Sequence, residues 1–109
     1  MNLLQLVLPC LAFLLYGLNV TLRQDRIELF LGMCWGMFAV GVLHALLQLN
    51  FAGSVPAMIS YYLVLICLGL GGVWNFYVVI GQITLHFWHA IWHLVMFGVV
   101  VAAIYNLIA

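Results

Sequence analysis

The chain has 109 residues, of which 70% are hydrophobic and 4% are charged, and its mean hydropathy is +1.34. Its four charged side chains, Arg23, Asp25, Arg26 and Glu28, lie close together and no lysine is present. A soluble domain has about a quarter of its residues charged, and a nucleic-acid-binding surface needs a basic patch. The composition therefore excludes both classes and predicts an integral membrane protein in contact with the lipid bilayer.

The apolar runs predict an all-α bundle of four transmembrane helices with short loops, because a spanning helix needs about 20 apolar residues. The first helix is expected over about 3–22 and is followed by the polar loop at 23–26. The second is expected over about 27–49, before a turn that contains Gly53 and Pro56. The third and fourth are expected over about 57–80 and 84–108, separated by Gly81 and Gln82. Together they form a single transmembrane domain.

The two arginines also predict an orientation. Arg23 and Arg26 are the only basic side chains apart from histidine, and the positive-inside rule places such a loop in the cytoplasm. Both termini are then expected on the opposite side. Within the second helix, Gly32 and Gly36 form a GxxxG pair. Small residues at this spacing favour close helix packing, either inside the chain or against a partner.

Histidines are the side chains with the most evident chemistry. His86, His89 and His93 fall on one side of the fourth helix at about 100° per residue, and Trp88 and Trp92 fall on the other. Imidazoles that face lipid would leave polar nitrogens without partners, which is costly in a membrane. The stripe of three histidines is therefore expected to face other helices, a cofactor or a partner protein.

Residues of the second helix at the depth of His89 and His93 include Cys34 and Met37. A donor set of His, Met and Cys is soft and favours copper or haem iron over magnesium or calcium. The candidate metal ligands are His89, His93, His44, Cys34 and Met37, and the candidate cofactor-binding residues are the stripe of three histidines. His44 is expected roughly 10 Å from His93 in depth, so these two are a poor pair for one ion.

The segment His89-Ala90-Ile91-Trp92-His93-Leu94 resembles the last-helix segment of the hemolysin III and progestin/adiponectin-receptor family, over about twenty residues at most. In that family an HxxxH pair and a third histidine from an early helix hold a zinc ion. The resemblance implies that His89 and His93 form the pair, that His44 is the third ligand, and that the chain is a zinc-dependent membrane hydrolase.

Two functions remain open at this point. The first is a small subunit of a larger membrane complex of the respiratory or oxygenase type, which packs on partner helices and ligates haem b or copper through the stripe of three histidines. The second is the compact zinc-dependent hydrolase, completed by a homo-oligomer if one chain does not suffice. A purely structural role for the histidines and a proton path through them are two further hypotheses. No carboxylate lies deeper in a predicted span than Glu28, at the start of the second, which weakens the case for proton transfer.

Overall fold

A computed structural model describes residues 2–22 and 27–109, and it confirms an all-α fold. The helices are α1 (Leu3–Thr21), α2 (Glu28–Asn50), α3 (Val55–Gln82) and α4 (Phe87–Ile108). With 19, 23, 28 and 22 residues, all four are long and apolar enough to cross a membrane. The chain is thus a multi-pass helical membrane protein. The polar loop at 23–26 lies outside the described residues.

Local signals explain where the helices begin. Asn2 caps α1 by accepting from the Gln5 backbone N–H at 2.9 Å, and the Gln5 side chain accepts from the Asn2 N–H at 2.9 Å. Ser54 caps α3 with a single bond, in which its hydroxyl oxygen accepts from the Ala57 N–H at 3.3 Å. The preceding turn contains Gly53, whose φ of 83° is disfavoured for residues with a side chain. These caps satisfy amide groups that would otherwise be exposed at the ends of the spans.

Helix α4 begins at Phe87, three residues later than the sequence predicts. His86 has φ −138° and ψ 77°, which is not helical, and both Leu85 and His86 donate their N–H groups to the Gln82 carbonyl. These bonds close the α3–α4 turn, so His86 precedes the helix instead of forming part of its stripe.

The helices pack in ring order, each against its neighbours in the chain, and α1 closes the ring against α4. The core is centred on Phe13, Val64, Leu68 and Val100, which are buried almost completely. Both termini lie at one end of the bundle, because the Gln5 amide donates to the Asn106 carbonyl at 2.6 Å. The α3–α4 turn lies at the other end.

Candidate functional site

A cavity lies in the half of the bundle that contains the α3–α4 turn, and all four helices contribute to its wall. We call it the site cavity. Its volume is about 200 Å³. The wall combines polar side chains with sulfur-containing and aromatic ones, as follows: Tyr16, Asn19, Val20, Phe30, Met33, Cys34, Met37, Leu70, Gly71, Trp74, Asn75, His93 and Met96. Apart from two asparagines, one tyrosine and one histidine, the wall residues are apolar or contain a sulfur atom.

The cavity opens between α2 and α3. Three residues of its wall are also exposed on the outside of the bundle, namely Met33 at 49%, Leu70 at 60% and Trp74 at 45%. The Phe30 and Trp74 rings meet at this opening with their centroids 5.7 Å apart. In a membrane this outer surface faces lipid, so the opening leads into the bilayer.

His93 is held in one tautomer by α3. The Asn75 amide nitrogen donates to the Gly71 carbonyl at 2.7 Å, which turns the Asn75 oxygen toward His93. That oxygen lies 2.7 Å from Nδ1 of His93. Because an amide oxygen only accepts hydrogen bonds, Nδ1 must carry the proton, and Nε2 carries the lone pair. His93 is 1% exposed, so this arrangement is built inside the bundle.

His44 is held by a parallel arrangement at another level. The Ser60 hydroxyl donates to the Ala57 carbonyl at 2.7 Å, and its oxygen lies 3.1 Å from Nδ1 of His44. Nδ1 is therefore the protonated nitrogen here as well. Nε2 of His44 is buried and has no hydrogen-bond partner among residues 2–22 and 27–109.

The two buried histidines are far apart. Their acceptors Ser60 and Asn75 lie on the same helix, fifteen residues apart in the sequence, which corresponds to a rise of roughly 20 Å. This separation is about twice the depth difference that the sequence suggests. Ligands of one zinc ion lie about 2 Å from it. The structure therefore does not bring His44 together with the His89 and His93 pair.

The remaining histidines of the predicted stripe lie at or near the surface. His89 is exposed, and its ring meets that of His93 edge to face with centroids 4.5 Å apart. His86 is exposed ahead of α4. Of the stripe, only His93 reaches the site cavity.

Two predicted ligands of α2, Cys34 and Met37, do share the cavity wall with His93. Sequence reasoning missed most of the other wall residues, among them Tyr16, Asn75 and Met96. Asn75 had a visible signal, since it is an amide in the middle of an apolar span. Among the described residues, no group of three or more His, Cys, Asp or Glu side chains could hold a metal ion.

The size of the site cavity limits what can occupy it. An engineered apolar cavity of about 150 Å³ binds one benzene molecule, so 200 Å³ accommodates one substituted six-membered ring. Sites for drug-sized molecules measure roughly 300–1,000 Å³, and a haem macrocycle needs a site of at least that class. A bare ion, in contrast, would require the wall to contract around it.

Comparison of the chain with protein-family models, curated proteins and solved structures finds no match.

Proposed function

We propose that this chain is a small integral membrane subunit that binds a lipid-soluble ligand, about the size of one ring, in the site cavity. The observation that carries the proposal is a mostly apolar cavity of about 200 Å³ that opens toward lipid and contains a fixed polar group, His93. Ligand sites commonly combine an apolar wall with a few fixed polar groups that orient the ligand. The proposal is one of binding rather than of catalysis by the chain alone.

A quenching experiment tests the proposal. Two variants each keep one tryptophan, either Trp74 at the opening or Trp88, which lies outside the cavity wall. In lipid nanodiscs, the quenching of Trp74 fluorescence by 4-bromotoluene should saturate as the probe concentration rises, because the bromine atom of the bound probe lies beside the indole. Trp88 should be quenched only in proportion to the probe dissolved in the lipid. Linear quenching of both tryptophans would contradict the proposal.

A matched pair of cysteine variants locates the binding. Cys34→Phe places a ring in the site cavity and should abolish saturable quenching of Trp74, since Cys34 belongs to the wall. Cys10→Phe makes the same change on α1, outside that wall and beside a separate cavity, and should leave the quenching unchanged. Circular dichroism of both variants checks that the helices remain.

Copper(I) is a second candidate ligand, favoured by one specific observation. Three thioethers, Met33, Met37 and Met96, share the wall with the Cys34 thiol and the His93 imidazole, and these soft donors select copper(I). Copper binding requires the wall to contract, so it should exclude the ring. Protein purified under reducing conditions should then contain about one copper ion per chain, and Cys34→Ala should contain none. Added copper(I) should displace 4-bromotoluene from the wild-type protein.

A role as a subunit of a larger assembly is supported by the outer face of α2. Gly32 and Gly36 are exposed, and a Cβ atom added at either would meet no atom within 4 Å. Close helix packing in membranes depends on small residues at this spacing. We expect a transmembrane helix of a partner subunit to pack along these two glycines.

A further inference from the structure

We infer that the ligand of the site cavity is a lipid-soluble phenol or quinol, an aromatic ring whose hydroxyl oxygen accepts a hydrogen bond from Tyr16. This inference rests on the proposed function, because it names the chemical class of the ligand bound at that site.

The Tyr16 hydroxyl is a donor without an acceptor. The side chain is 6% exposed and belongs to the cavity wall, and its oxygen makes no hydrogen bond of normal geometry within the described part of the chain. A buried tyrosine hydroxyl usually has a partner, and leaving it without one costs free energy. A ligand that enters the cavity with an oxygen atom would supply the acceptor.

The packing of Tyr16 keeps this donor in place. Its ring lies directly over Gly71, where a Cβ atom would collide with it, and its other side meets Phe13 edge to face with centroids 6.0 Å apart. The polar neighbour Asn75 makes its two hydrogen bonds of normal geometry elsewhere, since its nitrogen donates to Gly71 and its oxygen accepts from His93. The hydroxyl oxygen therefore stays at the cavity wall unless the ring loses this packing.

The same wall also provides an acceptor. Because Asn75 fixes the proton of His93 on Nδ1, Nε2 presents a lone pair on a residue that lines the cavity. A ligand hydroxyl both accepts and donates, so it suits a wall with a tyrosine donor and an imidazole acceptor. A hydrocarbon has no oxygen atom to accept from the Tyr16 hydroxyl.

The rest of the wall favours an aromatic ring. Thioether sulfurs make favourable contacts with aromatic rings, and three of them, in Met33, Met37 and Met96, line this cavity. Phe30 and Trp74 add two aromatic rings at the opening. The volume allows one ring inside, and the opening between α2 and α3 lets its alkyl substituents extend into the bilayer.

The test compares p-cresol with p-xylene, which differ only in a hydroxyl in place of a methyl group. Each is titrated against 4-bromotoluene, with Trp74 as the reporter, and affinities are corrected for partition into empty nanodiscs. Wild type should prefer p-cresol by roughly two- to tenfold, the value of one neutral hydrogen bond. Tyr16→Phe should lose most of this preference, because only the His93 acceptor remains for the hydroxyl of p-cresol.

The outcomes distinguish failure of the phenol assignment from failure of the proposed function. If p-xylene and p-cresol bind wild type equally, or if Tyr16→Phe keeps the full preference for p-cresol, Tyr16 does not bind a ligand hydroxyl, and this inference alone is overturned. If neither compound displaces the probe, the proposed function is overturned as well. Tyr16→Phe removes one unsatisfied hydroxyl and should fold at least as stably as wild type without ligand, so loss of folding would also contradict the assignment.

Discussion

At the scale of single residues, each buried histidine depends on one oxygen of α3. His93 donates to Asn75, and His44 donates to Ser60, while each of these oxygens is oriented by a bond to a carbonyl of the same helix. A bilayer contains no water to replace such partners. The polar residues of α3 therefore determine which imidazole nitrogen carries the proton.

The bond between Asn75 and His93 gives a direct prediction. Asn75→Leu should lower the free energy of unfolding by about 1–3 kcal/mol, because the buried Nδ1–H of His93 loses its acceptor. His93→Leu should cost a similar amount for the same reason. The double variant should lose less than the sum, since neither partner is then left unsatisfied. Unfolding in mixed detergent measures all three, and strictly additive losses would show that the bond contributes little.

At the scale of helices, glycines have two different roles. Gly71 of α3 receives the Tyr16 ring, and Gly17 of α1 receives the Trp35 indole, whose carbons would lie 2.8 Å from an added Cβ atom. Gly98 of α4, in contrast, faces open space. The first two positions bring helices together inside the chain, and the third leaves room on the outer surface.

These roles predict opposite effects of one substitution. Gly71→Ala should destabilise the bundle by about 1–3 kcal/mol, because the ring of Tyr16 has to move within a packed core. Gly98→Ala is the control and should be neutral or slightly stabilising, since alanine is the better helix former and meets no neighbour. Thermal unfolding followed by circular dichroism in mild detergent measures both. Equal effects at the two positions would mean that Tyr16 does not pack on Gly71.

The outward pair on α2 leads to a prediction about assembly. Gly32→Ile with Gly36→Ile should leave the helix content and thermal stability of the isolated chain nearly unchanged, because both positions face open space. The same variant should reduce the mass of the complex purified from native membranes, since bulky side chains separate the helices. An unchanged mass of the complex would mean that the partner packs on another face of the bundle. Gly98→Ile, which adds the same side chain to an open position on α4, is the matched control.

At the scale of the whole molecule, the sequence predicts the fold well and the site only in part. Four spans follow from hydropathy and the distance across a bilayer, and those features do not depend on how the helices pack. The depth match of Cys34 and Met37 with His93 could be predicted because helical rise is constant. The role of Tyr16, and the separation of His44 from His93, could not, because rotation and tilt of the helices are set by tertiary packing.

The fold fixes the relation between the termini, while the sequence predicts which side they face. Gln5 and Asn106 are hydrogen-bonded at 2.6 Å, so both ends of the chain share one side. Arg23 and Arg26, in the loop at the other end of α1, predict that this side is not the cytoplasm. In a bacterial host, alkaline phosphatase fused after Ala109 should be active, and a fluorescent protein fused there should stay dark.

Two substitutions test whether the arginines set this orientation. Arg23→Gln with Arg26→Gln removes the only Lys or Arg side chains of the chain, so the two fusions should report a mixture of orientations. Replacing Asp25 and Glu28 with neutral residues is the control and should change little, because acidic residues contribute weakly to topology. If the arginine variant keeps a single orientation, the two arginines do not set the topology.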